Sequence, residues 1–296
     1  MAAHVDPVAW AKKKKRLTII WVSIAAFLIV GTVSFLLMKN RIIPAIAYAR
    51  AEAALDRGET ETAVERFYAI GSYKDADARG AAIASAFGEN AALLEQFKAA
   101  SVHDVVRFGH YEQDNNRNNG TEPIAWYVLA KENGRMLLIS AYCLDNQVYH
   151  DEGGFISWEQ CTLRTWLNHT FLHTAFTAEE QLLIPTVALE NKANPASGAS
   201  AGKNTKDRVF VMSFDDVTAY APVNGDFPLW TYPTDYAAAQ GLTPHSEYGT
   251  GYWWMRTPGT TRDTVMYVDM RGSALHARRA TAECGVRPVI WVVIGE

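Results

Sequence analysis

The chain has 296 residues, 49% of them hydrophobic and 20% charged, with a formal net charge of −4 and three cysteines. That length holds one or two domains, and an odd, small cysteine count in so long a chain excludes a disulfide framework. The charge is divided as +6 over residues 1–44, −3 over 45–100 and −7 over 101–296; no concentrated positive surface stands ready for phosphate, which excludes nucleic acid as a partner.

The first landmark is KKKKR, Lys12 to Arg16, followed by Leu17 to Met38 without a charged residue. As a helix rising about 1.5 Å per residue, this run reaches roughly the 30 Å of a bilayer's hydrocarbon core. The cations that precede it outnumber Lys39 and Arg41 after it, which favours a cytoplasmic amino terminus and an exported carboxyl-terminal part. A cleaved signal peptide is the competing reading. Its apolar core is ordinarily shorter, although AIA at Ala45–Ala47 has the form of a cleavage site. We therefore expect a basic tail over 1–16 and a retained single-pass helix over 17–38, placing the protein in a plasma membrane with its carboxyl-terminal domain extracellular.

Residues 45–98 are alanine-rich, with small and apolar residues at helical spacing. Ala47, Ala51, Ala54 and Leu55 form one stripe and Ala63, Phe67 and Ile70 the next, with DRGE between them as a break. A third helix is predicted from Asp75 toward Phe87 and a fourth over ENAALLEQFKAA. Ala51, Gly58, Ala63, Phe67 and the YKDA turn resemble one tetratricopeptide-type unit. A single unit cannot bury both its faces, so the segment is read as a helical stalk that docks on the main domain or on a second copy.

From about Val102 the texture turns β-rich. Ile124, Trp126 and Val128 alternate on one predicted strand and Leu137 and Ile139 on the next, with a tight turn at ENG between them. Ser157 with Gln160 reads as an N-cap; the amphipathic helix after it, carrying Cys161, Arg164, Trp166 and Leu167, is expected to end near Asn168. TAEE, Thr177 to Glu180, repeats the capping pattern. Glu190 to Asp207 is small, polar and aperiodic, hence an exposed mobile loop that could cover a site. A strand over Arg208–Ser213 follows, then short helices capped by Ser213 or Asp215 and by Thr234 or Asp235. Three strand-like pieces close the chain: YWWMR, TVMYVDM and VRPVIWVVI. We expect Trp253 or Trp254, Val265, Tyr267, Val289 and Trp291 to lie on strands set side by side. Neighbouring strand residues point to opposite faces, so Trp253 and Trp254 must enter different surroundings.

The series IAWYVL, LLIS, SWEQCTLRTWLNHTFLHTAFTAEE, DRVFVMS, YWWMRTPG and CGVRPVIWV resembles a bacterial domain family of unknown function, numbered 6273, over roughly residues 104–294. Its recurrent residues map onto Trp126, Trp158, Arg164, Trp166, Leu167, Asn168, Phe171, Phe176, Trp253, Arg256, Gly285, Arg287 and Pro288. The resemblance implies a divergent relative of the C-type-lectin and formylglycine-generating-enzyme folds and carries no catalytic role for any of these residues. The latter fold would imply a copper-binding cysteine pair; no close pair is visible among Cys143, Cys161 and Cys284. The expected fold is thus α+β, with twisted antiparallel sheets and short helices, C-type-lectin-like over 102–296, preceded by a transmembrane helix and a short α-helical hairpin stalk.

No motif announces catalysis. His169 and His173 have one-turn spacing but no HExxH run, so helix-end hydrogen bonding is preferred to a metal pair; HSE at His245–Glu247 is read the same way. Cys161 and Cys284 sit at packing positions, without the exposed electropositive setting of a reactive thiol. A Cys143–Cys161 bridge and free buried thiols both remain open. GxSxG is absent. Asp215–Asp216, Glu179–Glu180 and Asp151–Glu152 read as caps or solvated surface, and the oxygen-rich DNNRNNGTE lacks EF-hand spacing. Arg164, Arg256 and Arg287 lie among aromatic segments, where an unpaired guanidinium is costly. Each anchors acidic or carbonyl groups, or else offers a donor fork to an anionic ligand. The expected ligand-binding residues are Trp253, Trp254, Arg256 and Arg287; the expected structural ones are Trp126, Trp158, Arg164, Trp166, Asn168, Gly285 and Pro288. No catalytic residue, metal or cofactor is expected. The expectation is an extracytoplasmic module that binds a cell-wall glycan or an envelope protein, with a cell-envelope enzyme or a purely structural domain as alternatives.

Overall fold

A computed structural model describes residues 7–220 and 227–295. Helix α1 (Pro7–Leu37) contains the apolar run and passes through a π-turn (Met38–Ile42) into α2 (Ile43–Asp56). Every residue from Trp21 to Ile42 is exposed. Among the described residues this is the one helix long and apolar enough to cross a membrane. The chain therefore leaves the apolar segment as continuous helix, and nothing breaks the backbone between 38 and 45.

Helices α3 (Thr60–Ile70), α4 (Ala76–Glu89) and α5 (Ala91–Ala99) complete the helical unit. Its core takes Ala51, Ala54, Leu55, Ala63 and Phe67 from the predicted stripes, joined by Ala76 and Ile83, while Ile70 packs partly buried against it and Ala47 stays outside. Small residues let the helices approach, while burying one Phe67-sized side chain contributes about 1.5–3 kcal/mol. The unit docks on the β-rich domain at several places. Leu94 and Phe97 of α5 enter the main core, with Phe97 edge-on to Phe108 at 5.8 Å. Lys131 donates to the carbonyls of Phe97, Lys98 and Ala100 at 3.1, 2.6 and 2.9 Å, giving α5's orphan C-terminal oxygens a cationic partner. At the α2–α3 break, a Cβ on Gly58 would stand 2.7 Å from the Asn133 carbonyl oxygen, so backbone meets backbone there.

The main domain runs β1 (Val105–Tyr111), β2 (Glu122–Glu132), β3 (Arg135–Ser140), β4 (Asp145–Val148), α6 (Thr162–Trp166), a π-turn (Leu167–Phe171), α7 (Leu172–Ala175) and α8 (Ala178–Leu182). Then come β5 (Val187–Leu189), β6 (Thr205–Asp207), β7 (Val209–Phe210), α9 (Phe214–Tyr220), α10 (Asp235–Ala239), β8 (Trp253–Pro258), β9 (Thr264–Val268), β10 (His276–Arg279), β11 (Glu283–Val286) and β12 (Val289–Val293). One sheet has the order β1-β2-β3-β12-β7 and the other β10-β9-β8-β11-β4, with β5-β6 as a separate ribbon. The pairs are antiparallel except for β8 with β11, which run parallel with Gly285 opposite Trp253. The fold is α+β with antiparallel sheets, as expected.

The β2–β3 turn forms at Asn133 and Gly134, with φ of 51° and 67°. Two positive φ values in succession match the twist of a tight hairpin, which is why Asn-Gly recurs there. Thr177 and Glu180 form the full reciprocal capping box of α8. Ser213 caps α9 by accepting from the Asp216 N–H, and Thr234 caps α10.

Several expectations are corrected. The cap of α6 is the Cys161 sulfur, which accepts from the Arg164 N–H, and Ser157–Gln160 forms a turn before it. The helix does not stop at Asn168 but continues through the π-turn to Ala175. In Arg208–Ser213 only Val209 and Phe210 pair as strand. The 190–207 segment is partly built in: Thr205–Asp207 pairs with β5, and buried Asn194 donates to the Pro258 carbonyl at 2.8 Å. Finally, Val289 and Trp291 do not lie beside the tryptophan strand. β12 pairs with β3 and β7, whereas β8 pairs with β9 and β11. Pro288 sits at the changeover; it has no N–H to give, and its carbonyl accepts from Ser140 at 3.0 Å.

Candidate functional site

The tryptophan–arginine strand takes its surroundings from the alternation of a β-strand. Trp253 and Trp254 are both fully buried, on opposite faces of β8. The Trp253 indole N–H donates to the Leu229 carbonyl at 3.0 Å. That of Trp254 donates to Gln147 at 2.8 Å, its ring edge-on to Tyr149 at 5.6 Å. Each face thus has its own cover, and both rings are sealed within the domain.

Arg287, 1% exposed, lies between the rings of Trp253 (5.3 Å) and Phe227 (5.5 Å). Its Nε donates to Ser140 and one terminal nitrogen to Leu229, at 2.8 and 3.2 Å. Among the described residues no carboxylate pairs with it, and burial lowers its pKa to about 10. Carbonyl dipoles and ring faces carry the cation, and in doing so fix the loop that leads into β8's cover. Beside it, Gly285 must be glycine: a Cβ would stand 2.5 Å from the Tyr252 carbonyl oxygen and 2.9 Å from Cys143 Sγ.

The LRTWLN segment has a comparable internal logic. Arg164 and Asn168, four apart on one helix, both face the 205–209 segment, where β6 gives way to β7. Arg164 Nε donates to buried Asp207 at 2.5 Å, with further bonds to Glu159 and Lys206 carbonyls. Asn168 donates to the carbonyls of Arg164 and Val209 and accepts from the N–H groups of Arg208 and Val209. Asp207 also receives the Trp158 indole N–H at 2.9 Å and the Thr205 hydroxyl at 2.7 Å. Trp126, fully buried, donates to Phe108 at 2.7 Å, and half-buried Trp166 packs on Phe171 at 5.6 Å.

Arg256 differs from its neighbours by lying at the wall of a cleft. It is 4% exposed and donates to the Val211 carbonyl at 2.8 Å, to Asp216, and to the Asn191 side chain at 3.3 Å. Asp216 is held in turn by the Ser213 N–H, so this arginine joins β8, the 190s segment and the start of α9. The cleft has a volume of about 570 Å³. Its floor is one face of the first sheet: Leu137, Phe210, Val289 and Trp291 line it, while Leu138, Ile290 and Val292, on the alternate positions, are fully buried behind. The rim comes from the end of α2 (Asp56, Arg57), the hairpin (Glu132, Arg135), the 190s segment (Glu190, Lys192), Lys206 and α9 (Asp215, Asp216, Tyr220).

The rim carries both signs of charge. Lys192 bridges Asp215 at 3.2 Å and Glu190 at 3.7 Å. Arg135 lies 4.9 Å over the Trp291 ring and donates to the Asp56 carbonyl at 3.0 Å, while its buried Nε has no partner. Burial raises the Asp56 carboxyl above its ordinary value. Such a cavity, with an aromatic floor and convergent polar groups, has the size and chemistry of a small-ligand site. Of the four residues expected to bind ligand, only Arg256 lines it. Arg135 and Trp291 escape a reading by sequence because the hairpin turn and the last strand each look purely structural in isolation; the alternation of VIWVV, with its one ring on the less covered face, is the signal that points there.

Cys143, Cys161 and Cys284 are free and buried, so the 143–161 bridge does not form. Burial pushes Cys143 and Cys161 up to about 12 and Cys284 well above its ordinary value, which keeps the thiols protonated. His245 accepts the N–H groups of Glu247 and Tyr248 on its Nδ1, which makes HSE a turn. Glu112 and Asp114 on the β1–β2 loop lie close to Glu122 at the start of β2, but their oxygens accept N–H groups of that loop.

Residues 133–294, more than half of the chain, match a family model described as Domain of unknown function (DUF6273). The match begins in the β2–β3 turn and takes in the LRTWLN, WWMR and GVRP segments. No curated protein and no solved structure matches the chain.

Proposed function

The chain belongs to the DUF6273 family, and on that footing we propose that it is a membrane-anchored, extracytoplasmic ligand-binding module of the bacterial cell envelope. The observation that carries this reading is the cleft: an aromatic floor and a rim of both charges, held in place by a network to which Arg256 is already committed. Fixed polar groups around a preformed apolar floor bind without first having to be ordered. The balanced rim suits a ligand with both hydrogen-bond donors and acceptors, such as a cell-wall glycan fragment or a segment of an envelope protein. The exposed apolar helix behind KKKKR supports anchoring through residues 17–38 with the amino terminus in the cytoplasm. The C-type-lectin likeness of the domain and the tetratricopeptide likeness of residues 45–98 belong to the same proposal, supported by the α+β architecture and by the small-residue packing of α2–α4.

Two measurements test it. Protease added to intact cells should remove the domain; protection of the domain with an exposed amino terminus refutes the topology. Thermal-shift screening of the full chain in lipid nanodiscs against cell-wall fragments should find a ligand whose effect is lost in Lys192→Ala/Lys206→Ala. A second reading, a cell-envelope enzyme, rests on Asp56, a half-buried carboxyl at the cleft whose burial favours its protonated form. Turnover of a bound fragment that stops in Asp56→Asn would replace the binding reading by that one.

A further inference from the structure

Away from the cleft, the domain exposes three aromatic rings together. Trp230, Tyr232 and Tyr248 are 42%, 45% and 45% exposed, whereas Trp126, Trp158, Trp253, Trp254 and Trp291 are all buried. With Glu247, Thr250, Met270 and Arg271 they line an open trough of about 630 Å³ that shares no residue with the cleft. We propose that this trough is a saccharide-binding platform, on which pyranose rings of a glycan chain stack against Trp230, Tyr232 and Tyr248.

The backbone beneath the rings is held rigid. Buried Thr231 separates Trp230 from Tyr232; its hydroxyl donates to the Ala141 carbonyl, and its own carbonyl accepts from Gly251 at 2.8 Å. Alternation then turns both flanking rings outward. The Tyr232 carbonyl accepts from Cys143 at 3.0 Å, so this segment is pinned on its other side too. The Trp230 and Tyr232 rings meet at 81° with centroids 5.7 Å apart, forming a step. Tyr248 is backed by the parallel imidazole of His245 at 4.7 Å, and the Thr250 hydroxyl ties its loop to the Met270 carbonyl at 2.6 Å. Exposed rings held this way lose little entropy when a ligand arrives.

The chemistry of the trough selects the ligand. The C–H groups on one face of a pyranose carry partial positive charge and match the negative face of an aromatic ring. Its hydroxyls need donors and acceptors at the edge, and Glu247 and Arg271 stand there, Arg271 with its guanidinium 6.0 Å from the Tyr248 ring. Branched aliphatic side chains are absent from the lining.

Trp230 is the accessible tryptophan of this trough, so iodide quenching of tryptophan emission reads its cover. The full chain in lipid nanodiscs, which carry no sugar headgroup, is titrated with soluble cello-, malto- and chito-oligosaccharides and with solubilised cell-wall glycan strands. A binding saccharide should protect Trp230 from iodide. Trp230→Ala or Tyr248→Ala should weaken binding, followed by calorimetry, by roughly tenfold each, and Trp230→Phe should retain most of it. Because the rings are exposed, all three variants should keep the unfolding midpoint. Lys192→Ala/Lys206→Ala should leave this binding unchanged, so failure here and failure of the cleft reading are separately visible. No protection by any of these saccharides at millimolar concentration overturns the proposal. So does saccharide binding that survives the Trp230→Ala/Tyr232→Ala/Tyr248→Ala variant.

Discussion

Removing the Asp207 carboxylate tests the account of the LRTWLN segment most directly. Asp207 is 2% exposed and accepts from Arg164 at 2.5 Å, Trp158 at 2.9 Å and Thr205 at 2.7 Å. Asp207→Ala leaves a guanidinium and an indole N–H without their acceptor. Breaking a buried ion pair by removing one partner costs about 3–5 kcal/mol. The Arg164 side chain is 27% exposed, so water reaches part of it and the lower end applies. The expected loss is therefore about 3 kcal/mol, which for a domain of this size lowers the midpoint by roughly 6–12 °C. Urea unfolding of the chain in nanodiscs, followed by tryptophan emission, measures it. Arg164→Met alone and the Arg164→Met/Asp207→Ala pair complete a double-mutant cycle, in which the coupling should be at least about 1 kcal/mol. A change below about 1 kcal/mol in Asp207→Ala, or strict additivity in the cycle, would refute the claim that this pair holds helix to strand.

Gly285→Ala forces a methyl group to within 2.5 Å of the Tyr252 carbonyl oxygen, so it should cost about 3 kcal/mol or yield insoluble protein; unchanged urea stability would show that β8 and β11 are not so closely apposed. Gly58→Ala meets the Asn133 carbonyl at 2.7 Å with φ at +87°. It should loosen the helical unit, seen as faster proteolysis between α5 and β1 with the domain itself still folded. The three buried thiols should resist a disulfide reagent at pH 8 and all react in guanidinium. Their pKa values are raised on folding, as are those of buried Tyr111 and Tyr149, so between the unfolded and folded values the folded state holds more protons. Stability should be full below about pH 9 and fall as pH rises beyond it, with Arg208 and Arg287, lowered to about 10, opposing only part of the fall. A stability curve flat from pH 8 to 11 would contradict these burials.

What could be read from the sequence was governed by chemistry within a few residues. The apolar run at 17–38, the alanine stripes of α2 and α3, the Asn133–Gly134 turn and the Thr177–Glu180 box each follow from one helical turn or one reverse turn, so neighbours in the chain suffice to specify them. The family likeness was legible for a related reason: Arg164 and Asn168 keep one-turn spacing because both must reach the same short stretch of chain, residues 206–209. Tertiary structure alone decided which strands pair. Nothing near Pro288 indicates that the chain leaves one sheet and enters the other there, because partners such as Ser140 lie far away in sequence. The same holds for exposure. Trp253 and Trp230 are the same residue type on similarly patterned segments. One is sealed by Leu229 and Arg287, while the other is turned outward by a buried threonine, and only distant contacts distinguish a core ring from one left open to a ligand.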